Sequence, residues 1–174
     1  MTDAINIDHE LLQRWQIQAE AEGKKIVVGG IIFNSKGQVF IQKRAAHKKL
    51  FPNCWDLSAG GRLEEGESVW QALDREIQEE TGWKLRNIVA EVDVFDWETE
   101  KEGQLVKYRE MDFLVEVEGD LSQPRIEAEN FSEARWISRH EINILNENKQ
   151  DIVEEDTIFR LVNKAFQIYD NFNN

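Results

Sequence analysis

The sequence predicts an α/β fold, an α/β/α sandwich around a mixed β-sheet, formed as one domain over residues 1–174. Three observations predict it. Segments of alternating apolar and polar residues interleave with a few segments of helical period, the pattern that places helices on both faces of a sheet. A chain of 174 residues with 41% hydrophobic content and six tryptophans holds material for one sizeable core. No internal repeat or low-complexity stretch interrupts it.

Taken in order, residues 8–22 read as an amphipathic N-terminal helix: Asp8 can cap it, Leu11, Leu12, Trp15 and Ala19 recur at helical spacing, and Gly23 stops it. Residues 25–33 and 39–42 are rich in Val and Ile and flank the turn Asn34-Ser35-Lys36-Gly37, so they are expected to pair as a hairpin. A loop from Phe51 enters a short strand at 56–59, which delivers Gly60 and Gly61. Residues 88–97 and 105–117 alternate as a long antiparallel hairpin. The alternation slips between Tyr108 and Met111, which predicts a bulge or a break in the strand near Arg109. A polar stretch leads to a strand at 134–137, then a helix near 139–146. A C-terminal helix over about 153–170 carries Ile158, Leu161, Val162, Ala165, Phe166 and Tyr169 on one side, to cover a sheet face.

Formal net charge is −13, from 21 basic and 34 acidic residues. Such a surface repels polyanions, which disfavours extended nucleic acid and anionic membranes as partners, while a small phosphorylated substrate stays compatible because bound metal reverses the local potential. The one cysteine, Cys54, cannot form an intrachain disulfide, the N-terminus lacks a basic-then-apolar signal pattern, and no apolar run reaches the length of a membrane span. A cytoplasmic protein is the expectation. Oligomeric state is not legible in the residues, with which a homodimer is compatible.

The most informative stretch is Gly61 to Trp83, GRLEEGESVWQALDREIQEETGW. Ser68 opens a capping box with Gln71 and Gly82 supplies a left-handed stop, so a helix of about thirteen residues follows a glycine-flanked loop. At about 100° per residue, Glu76, Glu79 and Glu80 share an arc of roughly 100° that borders the apolar stripe of Val69, Trp70, Leu73 and Ile77. Carboxylates held this close raise one another's pKa unless a cation neutralises them, and oxygen ligands suit Mg²⁺ or Mn²⁺. Arg75 is placed to orient one of the carboxylates through a forked hydrogen bond. Taken alone, REIQEE reads as a charged helix surface.

The full spacing is more specific. Gly61, five residues, Glu67, seven residues, then Arg75, Glu76, Ile77, Glu79, Glu80 and Gly82 match the box of the Nudix hydrolases, a family this chain resembles. Trp83 departs from the usual aliphatic residue at the last position. The likeness extends upstream through VGGIIFNSKGQVFIQKRA and WDLSAGG and loosely to ARWIS, and so covers roughly residues 25–140.

The resemblance implies the Nudix fold and Mg²⁺- or Mn²⁺-dependent hydrolysis of a pyrophosphate bond, in a nucleoside triphosphate or a nucleoside diphosphate derivative, by water attack at phosphorus. It implies metal ligation by Glu76, Glu79, Glu80 and the carbonyl region of Gly61, with Arg75 in support. Since the box acids are then occupied, the general base is expected among the acids of 127–133, with Glu129 first and Glu76 as runner-up. Lys43, Arg44, His47, Lys48 and Lys49 form the chain's one basic cluster, and Arg44 is the first choice for substrate phosphate. Two rivals remain: a non-catalytic nucleotide-sensing module and an isopentenyl-diphosphate-isomerase-like enzyme. The isomerases are similar at Trp55 and Ser58, but their catalytic cysteine would align with Gly60, and Cys54 stands six residues too early.

Overall fold

A computed structural model describes residues 7–150 and 156–173. In chain order the elements are α1 (His9–Ala21), β1 (Lys25–Ile32), β2 (Val39–Arg44), β3 (Trp55–Asp56), β4 (Ala59–Arg62), α2 (Val69–Thr81), β5 (Lys84–Lys101), β6 (Gln104–Glu118), β7 (Phe131–Ile137), a 3-10 helix (Arg139–Asn146) and α3 (Thr157–Asn173).

Local chemistry sets the helix ends. The Asp8 carboxylate accepts the Leu11 N–H at 2.8 Å and starts α1. In α2 both arms of the capping box form, Gln71 N–H to Ser68 Oγ at 3.2 Å and Ser68 N–H to Gln71 Oε1 at 2.9 Å, and Gly82 ends the helix at φ 77°.

The strands form a mixed four-stranded sheet, ordered β4-β1-β6-β5 with β1 and β6 parallel, and an antiparallel three-stranded sheet, ordered β3-β2-β7. On one side Leu73 and Ile77 of α2 and Leu12 of α1 pack with Val28, Met111 and Phe113. On the other, Val162, Ala165 and Phe166 of α3 pack with Ile31, Leu114 and Leu145. Successive residues of β1 and β6 enter opposite clusters, as the strand period requires, and helices therefore cover both faces.

Several expectations shift. β1 and β2 are joined by the predicted turn, in which Asn34 Oδ1 accepts the N–H groups of Lys36 and Gln38, but they meet only at the Phe33–Val39 bridge and then enter different sheets. The strand expected at 56–59 is divided between the two sheets as β3 and β4, which turns the chain from one to the other immediately before Gly60. Neither a bulge nor a break lies near Arg109, through which β6 runs paired on both sides. The register irregularities fall on β5, between Leu85 and Asn87, Ile88 and Ala90, and Glu91 and Asp93. The polarity slip has another cause: Met111 to Val115 are buried on both faces, so alternation ends where β6 passes beneath the helices. The segment at 139–146 is a 3-10 helix rather than α. The expected start of the last helix at 153 lies outside the described residues, and its far end runs past 170 to Asn173.

Candidate active site

The site is assembled where α2 crosses the edge strand β4. Arg75 is its structural clamp. Its Nε and Nη2 donate to the two carboxylate oxygens of Glu67 at 2.7 and 2.9 Å, its Nη1 donates to Glu76 Oε1 at 2.7 Å, and Nη2 also reaches the Arg62 carbonyl at 3.1 Å. One guanidinium thus ties the loop before α2 to the helix itself, a use of the planar fork that lysine could not reproduce. The hydrogen bond from Arg75 holds the Glu67 carboxyl below its ordinary pKa, and the same pairing raises Arg75 above its own.

The three acids of α2 sit at different depths. Glu80 is buried at 6% exposure, and its Oε2 accepts the Gly60 N–H at 3.0 Å and the Gln42 amide at 3.3 Å. Burial, then the nearby charge of Asp56, pushes Glu80 up to about 9. Glu76 lies at the rim, and burial raises its pKa against the pull of Arg75, with Glu79 and Glu127 adding repulsion. Glu79 is mostly exposed, and its one ion-pair contact is with Arg75 at 3.5 Å. The shared arc expected from the sequence therefore resolves into an inner, a rim and an outer carboxylate. Among the described residues no three His, Cys, Asp or Glu side chains converge tightly enough to hold a metal ion in this arrangement.

The donor set nonetheless fits a hard divalent cation. Among the described residues Glu80 is a buried carboxylate with no ion-pair partner, and the Gly61 backbone lies so close to Glu76 that a Cβ there would stand 2.3 Å from Glu76 Oε1. All the available donors are oxygens, which suit Mg²⁺ or Mn²⁺ over softer metals.

A broad cleft runs from these acids across to the basic loop, with Gly61, Glu76 and Glu80 on one side and Arg44, His47, Lys48 and Lys49 on the other. Arg44 stands inside a strand and not beyond its expected end at 42. It ends β2, is largely covered, donates to the Leu50 carbonyl at 3.2 Å, and faces Asp56 at 3.5 Å. Glu129 lines the cleft and is exposed. Its neighbour Glu127 is the acid of that segment whose charge acts on Glu76 and Glu80, and its carboxylate accepts from Asn130.

The cleft sets acidic side chains on one wall against basic side chains on the other. A model of the NUDIX domain matches residues 23–158 of this chain. The chain belongs to the Nudix family. This Nudix hydrolase is 33% identical over 153 residues, 86% of each chain, to an uncharacterised Nudix hydrolase of Listeria monocytogenes. It is 30% identical over 125 residues to the nucleoside triphosphatase NudI of an Enterobacter species, covering 68% of this chain and 85% of that one. Among solved structures, a NUDIX hydrolase from Nitrosomonas europaea superposes with a TM-score of 0.61 at 20% identity, over 83% of this chain and 89% of the other, which shows the shared fold. Family members hydrolyse pyrophosphate bonds in small nucleotides, and they generally use divalent metal ions.

Sequence reasoning singled out Arg44, Gly61, Arg75, Glu76, Glu79, Glu80 and Glu129, and all seven flank this region. It assigned no part to Gln42, Asp56, Glu110 or Asp112, and it held Glu127 only among the candidate bases of 127–133. Gln42 left no trace either, since it opens the polar end of β2 before Lys43 and Arg44, yet it is 1% exposed.

Proposed function

We propose that the protein is a Mg²⁺- or Mn²⁺-dependent pyrophosphohydrolase acting on a nucleoside triphosphate or a nucleoside diphosphate derivative by water attack at phosphorus. The observation that carries this reading is the buried Glu80 carboxylate, placed against the Gly60 backbone beside the Arg75-held Glu76 and without an ion-pair partner among the described residues. Glu76, Glu80 and the Gly61 carbonyl region would hold the ion, with Glu79 joining from the outer turn. When bound, the metal neutralises the pyrophosphate and lowers the pKa of the attacking water.

The chain's own groups divide the remaining work. Arg75 fixes Glu67 and Glu76 so that the rim carboxylate stays oriented when charged. Arg44, on the opposite wall, is placed for a phosphate oxygen. Glu129 is the general base of this reading. It lines the cleft, whereas Glu127 is already engaged by Asn130. The likeness to a nucleoside triphosphatase supports nucleotides as the substrate class. The net charge of −13 supports small substrates over extended nucleic acid, and no helix among the described residues is long and apolar enough to cross a membrane.

The isomerase-like alternative finds no support at the position it needs. A Cβ on Gly60 would lie 2.0 Å from the Val28 carbonyl oxygen, and Cys54 is buried with its thiol directed to the Asn148 carbonyl at 2.7 Å.

The test is phosphate or pyrophosphate release from a panel of nucleoside triphosphates and nucleoside diphosphate derivatives, with Mg²⁺ and with chelator. Release that depends on the metal is expected, and Glu129→Gln should abolish the acidic limb of the kcat profile with metal affinity unchanged. Retention of that limb would return the base to Glu76, and no release from any nucleotide would leave a binding module.

A further inference from the structure

Two fully buried side-chain atoms have no hydrogen-bond partner among the described residues, Asp112 Oδ2 on β6 and Gln42 Oε1 on β2. At Asp112 burial, with the nearby charge of Glu110, raises the carboxyl well above its ordinary value, so that oxygen belongs to an acid kept neutral. An amide cannot change its charge. A buried amide oxygen without a donor lowers the stability of the fold, and a methionine of similar length would fill the same place without that penalty.

The position of Gln42 shows what its amide is for. Its backbone lies in the middle strand of the three-stranded sheet, opposite Asp56 of β3 on one side and Ala134 of β7 on the other, and the residue is 1% exposed. Two residues earlier, and so on the same face of the strand, Phe40 packs against Trp83 and Trp136. In these apolar surroundings the side chain makes one hydrogen bond, from Nε2 to Glu80 Oε2 at 3.3 Å. The amide turned the other way would set its oxygen against a carboxylate oxygen that already accepts the Gly60 N–H.

The two donors on Glu80 come from different sheets. Gly60 belongs to β4 of the four-stranded sheet and Gln42 to β2 of the three-stranded sheet, and both act on Oε2. Among the described residues no hydrogen bond reaches Oε1, and Glu80 lines the cleft. One oxygen is pinned between the sheets and the other is uncommitted. We propose that Gln42 is a positioning residue for the metal site, which holds Oε2, fixes the rotation of the Glu80 carboxylate and keeps Oε1 available to the ion. It acts through Glu80 alone, and the unpaired Gln42 oxygen is a loss of stability that the fold carries for the site. This inference rests on the reading of Glu80 as a metal-holding carboxylate.

The experiment is calorimetric titration with Mn²⁺ of the wild-type, Gln42→Met, Glu80→Gln and doubly substituted proteins, with melting temperatures taken metal-free. Gln42→Met removes the donor and the unpaired oxygen together. It should weaken Mn²⁺ binding by about tenfold, the usual scale for a group that orients a ligand, while the metal-free melting temperature stays level or rises. In the Glu80→Gln background the same change should have no further effect on Mn²⁺ affinity. Turnover of the best nucleotide substrate should fall with the metal affinity and recover as Mg²⁺ is raised, with KM for the nucleotide unchanged. Gln42→Asn keeps an amide but withdraws it by one methylene, so it should show the same loss and serves if the methionine variant does not fold. Wild-type Mn²⁺ affinity in either folded variant, or a loss of equal size with and without the Glu80 carboxylate, would overturn the inference. A lower metal-free melting temperature with unchanged Mn²⁺ binding would do so too, by making Gln42 a support of the fold alone. Binding weakened in Glu80→Gln but not in Gln42→Met would sink this inference and spare the hydrolase reading, whereas unchanged binding in Glu80→Gln would sink both.

Discussion

Arg44 shows how much one residue's surroundings alter its meaning. A basic side chain after a strand reads as solvated, and its removal would then touch kinetics alone. Here the guanidinium is largely covered and stands beside Asp56, an acid that burial raises above its ordinary value and Arg44 draws back down. Arg44→Ala is therefore expected to lower kcat/KM and also to lower the melting temperature by several degrees, because it leaves Asp56 without its cation. Normal stability with impaired kinetics would mean that the pairing contributes nothing to the fold. The Glu110–Asp112 pair supplies a second prediction at this scale. Both carboxyls have folded-state pKa values above their unfolded ones, so the folded protein holds protons that the unfolded chain has released. Stability is then full below the ordinary carboxylate range and declines as pH rises toward and past about 7, the value to which Glu110 is pushed. Thermal melts of the metal-free protein should show this slope, and Asp112→Asn should flatten it. A melting temperature that stays level between pH 5 and pH 8, or rises, would contradict the assignment.

Among the elements, α2 was the most legible in the sequence because everything that defines it is local: the Ser68–Gln71 box, the apolar spacing and Gly82 lie within one short segment. Ser68→Ala should cost about 1 kcal/mol of stability, seen as a fall of roughly 2–4 °C in melting temperature, with kcat/KM unaffected. A large kinetic defect would mean that the cap also sets the angle at which Glu76 and Glu80 are presented. Strand partnership was far less legible. The turn after β1 was visible in Asn34 and Gly37, but whether the strands beside it pair with each other depends on β6, more than seventy residues away in the chain and parallel to β1. The bulge or break expected near Arg109 failed for a related reason, since burial on both faces of β6 erases the alternation from which register is read.

Across the whole molecule, the two sheets and the helices on either side bring the Arg44 end of β2, the Gly60–Gly61 edge of β4 and the acidic face of α2 to one cleft. The box residues were legible because their spacing is contained in one loop and one helix. Asp56, Glu110 and Asp112 were not, because acids spread over β3 and β6 have no common period and meet only after the sheets form. The partnership of Arg75 with Glu67 lay between these cases: both residues belong to the spacing, yet nothing in it says that the guanidinium spans the loop as well as the helix. The central claim is that the inner carboxylate of α2 serves metal-dependent hydrolysis, and Glu80→Gln tests it with least ambiguity. The substitution keeps the shape of the side chain and its contact with the Gly60 N–H while deleting the carboxylate that would ionise on a bound metal. The measurement is metal-dependent turnover of the best nucleotide substrate, at saturating Mg²⁺, by the wild-type and Glu80→Gln proteins, with Mn²⁺ binding followed in parallel. The account predicts at least about a tenfold loss of kcat with weakened Mn²⁺ binding and a retained or higher melting temperature. Unchanged turnover and unchanged Mn²⁺ affinity in a folded Glu80→Gln protein would contradict it.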